Sequence, residues 1–167
     1  MNPLPIRMLS LPLAAAAALV AFQPVAASTP VSATGTFFFV AAPVSSNFRT
    51  AGGNSFVTLS FPAGVLTGDI TGTFTEQLNI VTHRDGSQNI KGNATCACTV
   101  AGRQGTLVFD NIVGTANALG ASEAHYVLSG SGDLADLHGQ GTAIVSPTAQ
   151  GPVGVYTAQY SFGPSAE

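Results

Sequence analysis

Charge and tryptophan are what this sequence has least of. Tryptophan is absent, and only 8% of the 167 residues are charged, with 5 Lys and Arg against 8 Asp and Glu and a formal net charge of -3. So few basic side chains cannot form a positive patch, and we therefore expect no nucleic-acid partner. Two cysteines are too few for a disulfide-rich scaffold. Hydrophobic residues, at 46%, are too many for a disordered chain, and the length fits one domain.

Residues 1–27 have the layout of a secretory signal peptide. Arg7 is the only charged side chain before an apolar run over 8–22, and small residues lead to a cleavage site after Ala27. The run of about 15 residues is shorter than the roughly 20 that a membrane span needs, with a retained anchor as the alternative. We therefore expect a mature domain of residues 28–167, exported to the periplasm or outside the cell, with no membrane span after cleavage.

After Ser28 no stretch keeps helical spacing, whereas apolar and polar residues repeatedly alternate with a period of two. This pattern predicts short strands separated by turns such as Arg84-Asp85-Gly86-Ser87. We predict an all-β protein, a single antiparallel eight-stranded barrel with its core in about 33–162. Residues 42–55 are predicted to be a mobile loop and 163–167 a loose tail. The predicted strands cover 33–41, 56–61, 68–82, 89–100, 106–113, 121–129, 141–146 and 153–162.

The most distinctive stretch is Gly130–Gly141, which reads Gly-Ser-Gly-x-Leu-x-x-Leu-x-Gly-x-Gly. It resembles a pattern of a bacterial family of uncharacterised proteins, and plant dirigent proteins are similar at the same turn. Three further motifs agree in order, namely Gly68-x-x-x-Gly72-Thr73, Asp85-Gly86 and Gly102-Arg103-Gln104-Gly105. The resemblance implies the small lipocalin-like barrel of allene oxide cyclase. Cyclases and dirigent proteins of this barrel accept hydrophobic or aromatic small molecules, but no catalytic residue of the plant enzymes matches a position here.

Glu76 is the residue that points most directly to chemistry. It shares the predicted inward face of its strand with four apolar residues, Ile70, Phe74, Leu78 and Ile80. A carboxyl group in an apolar interior has a raised pKa and is suited to proton transfer. The alternative is a structural carboxylate that bonds to a tyrosine hydroxyl or lies at the barrel rim. A bulge near Gly72 would reverse the facing and remove the argument.

Tyr126, Tyr156 and Tyr160 also fall on apolar faces of predicted strands. A buried tyrosine needs a partner for its hydroxyl, and Glu76 is one candidate. With Phe74, these residues are the predicted ligand-binding set, and core packing is the alternative use of the tyrosines.

Cys96 and Cys98 lie two apart on one strand, so both thiols face the same way. The strand rise places their Cα atoms about 6.7 Å apart, near the upper limit for a disulfide. We predict a strained local disulfide, with two buried free thiols or intermolecular pairing as alternatives. Three histidines, His83, His125 and His138, lie on different segments without metal-ligand spacing, so we predict no metal and no cofactor.

These observations support three hypotheses. The first is an exported barrel that binds a small hydrophobic or aromatic molecule. The second is an isomerase or cyclase that uses Glu76 for proton transfer, with tyrosine hydroxyls holding a developing charge. The third is a non-catalytic envelope or secreted protein whose barrel is filled by side chains, since eight strands enclose either a packed core or one ligand. The sequence leaves the oligomeric state and the identity of a ligand open.

Overall fold

The computed structural model describes residues 29–149 and 151–163, and these form strands and turns only. No helix long and apolar enough to cross a membrane occurs in these two ranges. The predicted signal peptide, 1–27, and residues 164–167 of the predicted tail lie outside the described residues. The strands are β1 (Val31–Phe39), β2 (Val44–Ala51), β3 (Asn54–Gly68), β4 (Ile70–Thr82), β5 (Gln88–Val100), β6 (Arg103–Ala116), β7 (Ser122–Gly132), β8 (Leu137–Ser146) and β9 (Val153–Phe162).

A closed barrel is formed by β1 together with β3 to β9. From β3 onward each strand pairs antiparallel with the next, and β1 closes the sheet by pairing with both β9 and β3. Closure is reinforced by Asp69, in the turn after β3, whose carboxylate accepts a hydrogen bond from the Thr34 backbone N–H at 2.7 Å. The predicted all-β, eight-stranded antiparallel barrel is therefore confirmed.

A further strand, β2, lies where the sequence predicted a mobile loop over 42–55. It forms a hairpin with the first part of β3, with Ala51 directly opposite Asn54. Gly52 and Gly53 have φ angles of 59° and 80°, which lets the chain reverse within two residues. The loop prediction was wrong because every β2 side chain is exposed, so the strand carries no alternation of buried and exposed positions.

The inward face predicted for β4 is confirmed. Ile70, Phe74 and Ile80 are buried, and Glu76 lies on the same face. Gly72 stays in continuous register opposite Cys98, so no bulge reverses the strand. The tyrosine-bearing faces of β7 and β9 also point inward, as predicted.

One part of the barrel interior is filled by side chains. The turn between β7 and β8 folds Leu134 inward, where it is fully buried. It lies against Gly105 and Gly130, since a Cβ atom at either glycine would take its space. The glycine-rich stretch that carries the family resemblance thus builds a plug for one barrel end. We call this part the packed half, and its fully buried side chains are Ile70, Cys96, Val100, Leu107, Leu128 and Leu134.

Candidate functional site

The other part of the barrel, which we call the cavity half, holds a cavity of 190 Å³. The cavity reaches the surface beside the exposed Pro152, at the barrel end that carries the β4–β5, β6–β7 and β8–β9 turns. Among the described residues its wall is almost entirely apolar, and Glu76 is the one carboxyl group that they place there. Seven aromatic side chains line it: Phe37, Phe39, Phe61, Phe74, Phe109, Tyr126 and Tyr156.

Glu76 projects into this cavity from the middle of β4, between Phe61 of β3 and Ala94 of β5. Within the described part of the chain, its carboxyl group has no hydrogen-bond donor and no basic side chain as a partner. Burial raises the pKa of Glu76 from its ordinary 4.5 to about 7, because the charged form loses its hydration. Near neutral pH the carboxyl group therefore populates both its charged and its neutral form.

Tyr126 and Tyr156 line the cavity but use their hydroxyl groups elsewhere. The Tyr126 hydroxyl donates to the Thr157 carbonyl at 3.1 Å. The Tyr156 hydroxyl accepts from the Ile70 N–H at 2.8 Å and donates to the Ile70 carbonyl at 3.0 Å. Burial raises the pKa of both tyrosines, so both are neutral. The bond from a tyrosine to Glu76 that the sequence suggested does not form among the described residues.

Four of the five predicted ligand-binding residues, Phe74, Glu76, Tyr126 and Tyr156, surround the cavity. The fifth, Tyr160, lies in the packed half with its ring edge against Phe162, at 5.7 Å between ring centroids. Tyr156 and Tyr160 share the inward face of β9, but four residues of strand separate them by about 13 Å. A small ligand in the cavity therefore contacts Tyr156 and not Tyr160.

Four of the seven rings lie against the wall because each of these four is paired across the sheet with a glycine. A Cβ atom at any of these glycines would overlap the facing ring, so the missing side chain makes room for it. The centre of the barrel therefore stays empty, and three small residues, Ala94, Ala124 and Ala143, add to the space. The ring–glycine pairs are Phe37–Gly154, Phe74–Gly64, Tyr126–Gly141 and Tyr156–Gly35.

Phe109 and Ile112 also line the cavity, and the sequence did not predict this because their spacing is odd. A bulge in β6 lies between Asp110 and Val113, where Asn111 has a φ of 52°. The bulge turns both Phe109 and Ile112 inward, whereas strict alternation would place them on opposite faces. Asn111 was the available signal, since asparagine adopts positive φ more readily than most residues.

Cys96 and Cys98 are joined by a disulfide on the inward face of β5. Their Cα atoms lie 5.3 Å apart, closer than the ideal strand rise gives, and both residues are buried in the packed half. They do not line the cavity. The disulfide is therefore part of the barrel core and not of the candidate site.

Each histidine is bonded to a neighbouring polar side chain. His83 bonds to Asn89, His125 to Thr142, and the His138 ring nitrogen lies 2.9 Å from the Ser161 hydroxyl. No cluster of metal-ligating side chains occurs in residues 29–149 and 151–163.

A second, shallower depression lies on the outer face of the barrel, across β1 and β6 to β9. Exposed polar side chains such as Asn111, Gln140 and Gln159 line much of it, together with Val113 and Val127. Residues 29–149 and 151–163 place no carboxyl group in it, and its walls are more open than those of the interior cavity, which is therefore the better candidate site.

The comparisons with known proteins agree with this barrel. A family model described as a protein of unknown function, DUF3224, matches residues 33–156. A crystal structure of a DUF3224 protein of unknown function from Shewanella oneidensis MR-1 is similar, with a TM-score of 0.65 at 18% identity. The match covers 82% of this chain and 100% of that one, and a search of curated proteins found no match. The finer resemblance to allene oxide cyclase and dirigent proteins stays a prediction. The chain belongs to the DUF3224 family.

Proposed function

We propose that the protein is an exported binding protein that holds one small hydrophobic or aromatic molecule inside the barrel. The observation that carries this proposal is the apolar cavity of 190 Å³, which is lined by aromatic rings and carries one carboxyl group. Binding pockets are typically apolar with a few placed polar groups. An apolar cavity of about 150 Å³ holds benzene, so a ligand built on a single ring fits this volume.

Each lining residue has a role in this proposal. Phe74 and the other phenylalanines supply apolar contact area, and Glu76 orients the polar end of the ligand. Tyr126 and Tyr156 contribute ring surface only, because their hydroxyls are held by backbone groups. Those bonds fix the rings before the ligand arrives, which lowers the entropic cost of binding.

The test is a titration with benzyl alcohol, followed by amide NMR shifts of the domain. Ala143→Leu places a larger side chain in the cavity and is expected to abolish binding. Ala97→Leu makes the same change at an exposed position on β5 and is expected to leave binding intact. If the alcohol does not bind, or binds equally well to the Ala143→Leu variant, the cavity is not the binding site.

Proton-transfer catalysis is the second candidate, and it is favoured by the unpaired Glu76 carboxyl group with its pKa near 7. An isomerase or cyclase would lose turnover in Glu76→Gln while it retained ligand binding. The filled-barrel hypothesis is the least favoured of the three, because the cavity has room for several water molecules.

A further inference from the structure

The described chain provides no positive partner for the charged form of Glu76. The basic side chains of residues 29–149 and 151–163 are Arg49, Arg84, Lys91 and Arg103, and none of them lines the cavity. Arg49 lies over the Phe56 ring and Arg103 over the Phe162 ring, at 4.0 and 4.1 Å. Glu76 is half-buried, and a carboxylate partly withdrawn from water is stabilised by a hydrogen bond or an opposite charge. The missing partner can therefore come from a ligand.

The walls around Glu76 favour a positive ligand over a negative one. The face of an aromatic ring carries negative charge density and attracts cations. Phe39 stacks on Phe61 with 4.1 Å between ring centroids, and Phe109 lies edge to face with Tyr126 at 5.2 Å, so that aromatic rings and no basic side chain of the described residues line the cavity that holds Glu76. Besides Glu76, the titratable groups that the described residues place along the cavity are Tyr126 and Tyr156, and both are neutral.

We propose that the cavity selects a small organic cation, a protonated amine carried on a single apolar ring, with its ammonium group on the Glu76 carboxylate. This inference rests on the proposed binding function and names the ligand class. The ammonium group donates charge-assisted hydrogen bonds to the carboxylate, and the rings surround the body of the ligand. By contrast, a neutral ligand that accepts a hydrogen bond needs the protonated form of the Glu76 carboxyl group.

The experiment compares benzylamine with benzyl alcohol, which have the same ring and nearly the same size. Affinities are measured by calorimetry at about pH 8.5 and about pH 5.5, on either side of the Glu76 pKa of about 7. Benzylamine stays protonated at both. At the higher pH we expect benzylamine to bind about tenfold more tightly than the alcohol. At the lower pH, where Glu76 is neutral, most of this preference is lost.

Two variants separate the cavity charge from the general charge of the protein. Glu76→Gln is expected to remove the preference for the amine at both pH values. Glu123→Gln, at an exposed position on β7 outside the cavity, removes the same charge and is expected to keep the preference.

The experiment distinguishes a failure of the cation preference from a failure of the proposed binding function. If both probes bind with equal affinity at high pH and Ala143→Leu blocks both, the binding function stands and the cation preference is wrong. The same conclusion follows if the alcohol is favoured and its affinity falls as the pH rises, since Glu76 then acts as a neutral donor. If neither probe binds, both the inference and the proposed function are overturned.

Discussion

The packed half and the cavity half of this barrel are made from the same strands. In the packed half, leucine, isoleucine and valine meet at the barrel centre, and Leu134 closes the end. In the cavity half, Ala94 and Ala143 occupy inward positions, and four of the seven rings rest on glycines of the neighbouring strand. Side-chain volume at a few positions thus decides whether one length of barrel is core or cavity.

This contrast follows from the size of an eight-stranded barrel. Such a barrel has an interior just wide enough for side chains to fill, so small changes in residue volume leave room for one ligand or none. The same alternation of hydrophobic and polar residues builds both halves. The residues that stabilise the fold and those that line the candidate site therefore lie in different parts of the same strands. Matched substitutions in the two halves test this difference.

The largest expected effect comes from truncating a leucine in each half. Leu107→Ala removes a fully buried side chain from the packed half and is expected to lower the free energy of unfolding by roughly 2–5 kcal/mol. Leu78→Ala enlarges an existing cavity that solvent can reach and is expected to cost about 1 kcal/mol. Urea unfolding of both variants measures the difference. Equal losses would mean that the cavity half is as tightly packed as the other.

The next effect is a pH dependence that belongs to the cavity half. The pKa of Glu76 is about 7 in the folded chain and 4.5 in the unfolded one, so the folded state binds more protons between these values. The free energy of unfolding is therefore expected to fall as the pH rises from 4.5 through 7, by up to about 3 kcal/mol. The Ser87 hydroxyl and backbone N–H donate hydrogen bonds to the Asp85 carboxylate and hold its pKa below its usual range, which lies outside this window.

Glu76→Gln is expected to flatten this profile, because the amide does not titrate. Glu123→Gln, at an exposed position, is expected to retain it. Urea unfolding between about pH 4.5 and pH 8 measures all three proteins across the window. A wild-type profile that is flat, or that rises with pH, would show that the Glu76 carboxyl group is hydrated or paired in solution.

A smaller effect tests whether glycine keeps the cavity open. Gly154→Ala places a methyl group where the Phe37 ring lies, and should push the ring toward the cavity at a cost of about 1–2 kcal/mol. Phe37→Leu in the same chain should recover part of that loss, because the smaller side chain no longer overlaps the methyl group. A double-mutant cycle by urea unfolding measures the coupling. Additive losses would show that Phe37 does not rest on Gly154.

The sequence predicted the fold more completely than the candidate site. Alternation over Ile70 to Ile80 correctly placed Glu76 inside the barrel. It could not place Phe109 and Ile112 together, because a bulge at Asn111 breaks the period of two. Alternation also could not predict that Tyr156 lies in the cavity half and Tyr160 in the packed half, because both face inward. The position of the plug decides which half each tyrosine occupies.

The hydroxyl partners were equally hidden from the sequence, because they depend on register between strands far apart in the chain. Tyr126 of β7 reaches across β8 to the Thr157 carbonyl of β9. Tyr156 of β9 reaches the backbone of Ile70 on β4. Neither partner is adjacent in sequence, and the simpler pairing with Glu76 was the one that alternation suggested.

In the smallest expected effect, the substitution in the cavity half costs more stability than the matched substitution in the packed half. Tyr126→Phe in the cavity half removes the hydrogen bond to Thr157 and is expected to cost about 1 kcal/mol. Tyr160→Phe in the packed half removes a hydroxyl that makes no hydrogen bond to the described part of the chain. It is expected to lower the free energy of unfolding by a few tenths of a kcal/mol at most. Urea unfolding compares the two. A larger loss at Tyr160 would mean that its hydroxyl makes a polar contact in the packed half, and the description of that half as an apolar core would then fail.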